Sequence, residues 1–191
     1  MNGIEAITLG ASAGGVSALL SLFHALPQDF QIPLLCVLHL PDGRHSQLAE
    51  VFSRRLGRLV CEAQDKQAVA PGLIYFAGPG YHLSVERDRS FSLSQEERVF
   101  FSRPSIDFLF ASAADAYGPA LLGVLLTGAN EDGARGLAQI KQLGGHTIIQ
   151  DPREAQVATM PKAALALHRP DYILPLSGIG QLLAKLEYST C

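Results

Sequence analysis

The feature that most constrains what this 191-residue chain can fold into is a set of near-continuous apolar runs. They occupy residues 4–9, 32–38 and 120–126, and each leads through a loop into a stretch of helical spacing. Runs of that length without polar alternation suit strands buried on both faces, and such strands need helices on each side of their sheet. A fourth run, 146–150, is of the same kind and stops at Asp151-Pro152. The alternation predicts an α/β fold: a doubly wound, mostly parallel sheet with helices on both faces. The middle of the chain departs from this pattern. Residues 82–86 and 90–94 alternate about the turn Arg87-Asp88-Arg89, which predicts an antiparallel hairpin decorating the sheet. Short strands are expected at 59–61 and 172–174. Helices are expected at 16–25, at 47–56 behind a Ser46 cap, from an opening at Arg103-Pro104-Ser105-Ile106-Asp107 to Tyr117, after Gly133 through Leu137, Ile140 and Leu143, at 161–167 and at 178–186.

The length suits one domain with a sizeable core, and residues 1–191 are read as a single domain without repeats or linkers. A net charge of −3 and scattered basic residues give no reason to expect nucleic acid or an anionic membrane. No run approaches a membrane span, and the first residues lack the basic-then-apolar order of a signal peptide. Cys36, Cys61 and Cys191 are odd in number and widely spaced, which suits a reducing, cytoplasmic setting, with Cys36 as a core residue. No spacing of His, Cys and carboxylates suggests a metal, and no cofactor motif is present.

Chemistry in a parallel sheet collects at the carboxyl ends of the strands. Three of those loops carry residue types that belong together. Gly10-Ala11-Ser12-Ala13-Gly14 fits the G-x-S-x-G strand-to-helix turn, which lifts a serine hydroxyl toward unpaired helix N–H groups. His39 follows the second apolar run and Asp132 the third. A serine becomes a competent nucleophile when an imidazole takes its proton, and a carboxylate orients that imidazole. Each residue also has a plainer role open to it. Ser12 and Asp132 could be helix caps, and His39 a loop histidine held by backbone carbonyls. Asp107 and Asp151 are rival carboxylates, while His24, His45, His82, His146 and His168 are less well placed. The order Ser, His, Asp differs from that of the α/β-hydrolases.

Taken with further ordered blocks, these motifs resemble the catalytic domain of the chemotaxis protein-glutamate methylesterases, the CheB family. The blocks are Gly10 to Gly15, His39-Leu40-Pro41, Pro71-Gly72 through His82-Leu83, Ser102-Arg103-Pro104-Ser105-Ile106-Asp107, Leu126-Thr127-Gly128 leading to Asp132-Gly133, and Gln150-Asp151-Pro152 through Met160-Pro161. The resemblance implies a serine hydrolase with Ser12, His39 and Asp132 as its catalytic residues. It would act on methyl esters of receptor glutamates, and in some members on receptor glutamines. The expected partners are cytoplasmic helices of methyl-accepting chemotaxis receptors, or another methylated protein. The family's receiver domain is expected to be absent, which leaves regulation to a receiver protein in trans or to none.

Two departures from the family pattern bear on the pocket. Ala13 follows the serine where threonine is common, and Ala129-Asn130 replaces a methionine and a glycine. Backbone N–H groups at Ala13 and Ala129 are expected to build an oxyanion hole regardless of side chain. Alanine at 129 is expected to widen the pocket. The same departures motivate a second reading, a catalytically silent module that binds a signalling partner. A third, a phosphate- or nucleotide-binding domain using Gly10 to Gly15, lacks both a P-loop lysine and a G-x-G-x-x-G pattern.

Overall fold

The computed structural model describes residues 3–39 and 47–186. The Ser46 cap, the loop after His39, His45 and Cys191 lie outside the described residues. The strands are β1 (Ala6–Ala11), β2 (Leu34–Leu38), β3 (Val60–Glu62), β4 (Ile74–Phe76), β5 (His82–Val85), β6 (Phe91–Ser94), β7 (Leu121–Leu125), β8 (His146–Gln150) and β9 (Tyr172–Leu174). The helices are α1 (Gly15–His24), α2 (Leu48–Leu56), α3 (Ile106–Tyr117), α4 (Ala134–Gln142), α5 (Thr159–Leu167) and α6 (Leu176–Leu186). Seven strands form one sheet in the order β3-β4-β2-β1-β7-β8-β9, with every neighbouring pair parallel. This is the doubly wound sheet expected from the apolar runs.

Period-two alternation sorts each central strand between two cores. Ile7, Leu9 and Ala11 of β1, with Leu34, Cys36 and Leu38 of β2, face a layer built from α1, α2 and α6. Leu35 and Val37 of β2 and Leu121 and Leu125 of β7 face the layer of α3, α4, α5 and the hairpin. No central strand could expose a face without losing roughly 1.5–3 kcal/mol for each large side chain brought into water. The ungapped runs follow from this.

The middle of the chain supplies the differences. Residues 74–76, for which no strand is expected from sequence, form one between β3 and β2. The hairpin of β5 and β6 is a separate two-stranded sheet and packs on α3. Helices α5 and α6 each begin two residues before the positions expected from sequence.

Strand β1 is the topological switch point. The chain leaves it through α1 to reach β2 on one side, and returns much later as β7 on the other. The loops after β1, β2 and β7 therefore meet over one sheet edge, where open α/β sheets place their ligands. The absence of a side chain at Gly10 lets α3 lie directly on this switch point. A Cβ there would collide with Ile106, the first residue of the helix.

Candidate active site

Strand β1 ends at Ala11, and the chain reverses through Ser12, Ala13 and Gly14 into α1. The turn is tight: the Gly15 N–H donates to the Ser12 carbonyl at 2.7 Å, and Gly14 takes φ 81°, a left-handed conformation that suits glycine. Gly14, not Ser12, is the N-cap of α1, and no side chain caps that helix. The capping role open to Ser12 is therefore not the one it fills. Its N–H donates to the Thr127 carbonyl at 3.0 Å, tying the turn to the end of β7. The Thr127 hydroxyl donates to the Ala13 carbonyl at 2.8 Å and accepts from the Val157 N–H at 2.9 Å. A trans peptide points its C=O and N–H oppositely, so the Gly14 N–H faces away from Thr127. Among the described residues nothing accepts from the N–H of Ala13, Gly14 or Ala129.

His39 follows β2 directly. Its Nε2 lies 2.8 Å from Asp132 Oδ2, with the imidazole 8% exposed and the carboxylate fully buried. A carboxylate only accepts hydrogen bonds, so the proton of a neutral His39 sits on Nε2 and leaves Nδ1 with a lone pair. Nδ1 is buried and has no partner among the described residues. The hydrogen bond expected between a ring nitrogen and Ser12 is thus not formed. Both residues line one open cavity of about 630 Å³, together with Ala13, Gly14, Ser102, Asn130 and Gln156. Bonds of this kind are often long in a free enzyme and close on the substrate.

Asp132 is held from the far side by the start of α3. Its Oδ1 accepts from Ser105 Oγ at 2.8 Å and the Asp107 N–H at 3.0 Å, and its Oδ2 accepts from the Ile106 N–H at 2.7 Å. The carboxylate therefore caps α3 from another segment of the chain, where the helix dipole favours a negative charge. Burial pushes its pKa up, but the bonds from His39, Asp107 and Ile106 outweigh this and hold it below the usual carboxylate value. Ser105 is fixed in turn, because its N–H donates to His82 Nδ1 at 3.1 Å. With Nδ1 accepting, His82 carries its proton on Nε2 and donates it to the Glu97 carbonyl at 3.0 Å. The ring is buried and stacked 4.0 Å from Phe108.

The rival carboxylates are engaged elsewhere. Asp151 is paired with Arg153, Nη2 to Oδ2 at 2.6 Å, and that contact draws its pKa down to about 2. Asp107 accepts from the Gly136 N–H at 2.7 Å and so caps α4, returning what Asp132, just ahead of α4, does for α3. Burial raises Asp107 to about 6, opposed by the Gly136 N–H and reinforced by the charge on Asp132. In the unfolded chain this group ionises near pH ~4. Whatever stability its proton lends the fold is complete below that value and is lost as pH rises through about 6. Asp107→Asn keeps an acceptor for Gly136 without the charge. It should raise Tm relative to the parent at pH 8, by roughly 1–2 kcal/mol of stability, and match it at pH ~4. Paired melting curves across that range check it, and a constant offset would refute the charge argument.

Among the described residues, no group of three or more His, Cys, Asp and Glu is gathered so as to hold a metal, and no helix is long and apolar enough to cross a membrane. A profile of the CheB methylesterase family matches residues 7–183. The chain belongs to the CheB methylesterase family. A Leptospira interrogans protein named for protein-glutamate methylesterase and protein-glutamine glutaminase activity is 42% identical over 183 residues, spanning 96% of this chain and 95% of that one. The Myxococcus xanthus protein-glutamate methylesterase FrzG is 37% identical over 94% of this chain, which spans only 54% of FrzG. The crystal structure of the Thermotoga maritima CheB methylesterase catalytic domain superposes with a TM-score of 0.89 at 31% identity, covering 95% of this chain and 98% of that one.

Set against the family pattern, the loop after β7 differs from expectation. Ala129 is exposed and does not line the cavity, while the next residue, Asn130, does. Ala129 therefore forms no part of the cavity wall. The Asn130 side chain also folds back, its Oδ1 accepting from the Asp132 N–H at 3.2 Å. Asn130, Gln156, Ser105 and His82 are the site residues that sequence reasoning missed or ranked low.

Proposed function

We propose that this chain is a serine hydrolase that removes methyl esters from glutamate side chains of proteins, with Ser12 as nucleophile, His39 as base and Asp132 as the group that orients it. The observation that carries the reading is the 2.8 Å His39–Asp132 bond, which leaves Nδ1 as the basic nitrogen of a ring sharing a cavity with Ser12. Ser12 Oγ attacks the ester carbonyl carbon while its proton passes to Nδ1. The oxyanion is received by backbone N–H groups, those of Ala13 and Gly14 being nearest in sequence and both lining the cavity. The tetrahedral adduct expels methoxide, which takes the proton from His39 and leaves as methanol. A water, deprotonated by the same nitrogen, then attacks the glutamyl–Ser12 ester and releases a free carboxylate. A glutamine side chain would follow the same route, with ammonia leaving instead.

The relatives' names support methylated glutamates of proteins as the substrate; cytoplasmic helices of methyl-accepting chemotaxis receptors are the partner that the family resemblance implies. The test is methanol release from a methylated receptor fragment, coupled to mass spectrometry of the enzyme after rapid quenching. Release together with an acyl adduct on the peptide holding Ser12 is the expected result. Tight binding of the fragment without methanol would replace catalysis by a partner-binding role.

A further inference from the structure

Val99 and Ser102 exchange backbone hydrogen bonds, Val99 N–H to Ser102 O at 3.1 Å and Ser102 N–H to Val99 O at 2.8 Å. The two residues between them make a hairpin reversal, with φ 47° at Phe100 and 63° at Phe101. Both values lie in the left-handed region, where asparagine and glycine sit easily and bulky side chains do not. Phe101 is also 94% exposed, well beyond the next large apolar side chain among the described residues, Leu59 at 63%. Strain and exposed apolar area would both vanish with an Asn-Gly pair. Backbone strain of this kind persists where the surroundings hold it, and Arg98 Nη1 does so by donating to the Phe101 carbonyl at 3.2 Å. Ser102, the next residue, lines the cavity that holds Ser12 and His39.

We propose that Phe101 is the rim contact for a polypeptide substrate, packing on an apolar side chain within a few residues of the glutamyl ester. This rests on the hydrolase reading given above. An ester carried on a side chain must enter the cavity while its own backbone lies outside it, and Phe101, next to the cavity-lining Ser102, offers an aromatic ring 94% exposed. Exposed aromatic anchors of this kind are the residue type that dominates recognition energetics. A small free ester reaches Ser12 without meeting Phe101.

Phe101→Gly in the full chain tests this, because glycine suits φ 63°. Two probes are used: p-nitrophenyl acetate, and a fluorescein-labelled peptide carrying one glutamate methyl ester flanked by leucines. The expected result is a fall of about tenfold or more in kcat/KM for the peptide, carried by KM, with p-nitrophenyl acetate turnover unchanged and Tm unchanged or higher. Phe101→Tyr should restore the peptide rate. Equal peptide kinetics in wild type and Phe101→Gly would overturn the proposal, as would an equal loss on both probes. A change in oligomeric state with unchanged peptide kinetics would also overturn it, making the ring a self-association contact. If wild type hydrolyses neither probe, the hydrolase reading fails by itself. Anisotropy with the same peptide then decides the rim: weaker binding by Phe101→Gly supports it, and equal binding overturns it.

Discussion

Ser12→Ala is expected to lower kcat for methyl-ester hydrolysis by about four orders of magnitude or more, with no comparable loss of stability. Four orders correspond to about 5.5 kcal/mol of lost transition-state stabilisation. The stability side of the expectation is specific to this turn. Gly14 is the cap of α1 and the Ser12 backbone carries the tie to Thr127, so alanine keeps every hydrogen bond that holds the segment. His39→Ala should cost a similar factor, since a serine without its base is a poor nucleophile. The double variant should then be little slower than either single one, because nucleophile and base act in one step. Methanol release by all three variants, with melting curves alongside, checks this. Multiplicative losses in the double variant would mean that the two residues serve different steps, and a collapse of Tm in Ser12→Ala would make the hydroxyl structural.

The parts of the molecule legible in the sequence are those decided locally. Strands such as Leu34–Leu38, buried on both faces, leave an ungapped apolar run whatever their neighbours are. A G-x-S-x-G turn carries its own backbone requirement, met here at Gly14. Residues 74–76 were a harder case. Three residues show no periodicity, and their place between β2 and β3 is set by pairing with strands well removed in the chain. The site divides in the same way. Ser12, His39 and Asp132 follow three strands that sit side by side, so topology alone brings their loops to one edge. Which aspartate faces His39 depends on how α3 docks on β1, something no short motif records. The roles of Ser105 and His82 are not legible in sequence for that reason: their contacts join positions 27 and 23 residues apart, and in sequence they look like a helix start and a hairpin residue.

That docking gives Asp132 a capping role beside the catalytic one proposed for it, and one substitution can separate the two. Asp132→Asn is expected to lower kcat by about 10²–10⁴-fold, somewhat less than loss of Ser12, and to lower Tm as well. The carboxylate accepts four hydrogen bonds, from Ser105 Oγ, the Ile106 and Asp107 N–H groups, and His39 Nε2. An asparagine has one oxygen to offer. With its NH₂ toward His39, it opposes the Ile106 N–H and pushes the histidine proton onto Nδ1, where the base is needed. With its oxygen toward His39, the tautomer survives but the NH₂ opposes the Asp107 N–H. The Ile106 bond is the shorter, 2.7 Å against 3.0 Å, so the second orientation should prevail. Either way one helix N–H meets a donor, at a cost of about 1–3 kcal/mol. For a chain of this size, that is about 2–4 °C in Tm for each kcal/mol. In the second orientation the kinetic loss is expected from the missing negative charge, which in the proposed mechanism stabilises the imidazolium formed as Ser12 gives up its proton. Nitrogen NMR of the His39 ring reads the tautomer, and hydrogen exchange at Ile106 and Asp107 reads the cap. A variant that keeps kcat within about twofold while exchange at α3 accelerates would leave Asp132 a helix cap and remove it from the chemistry.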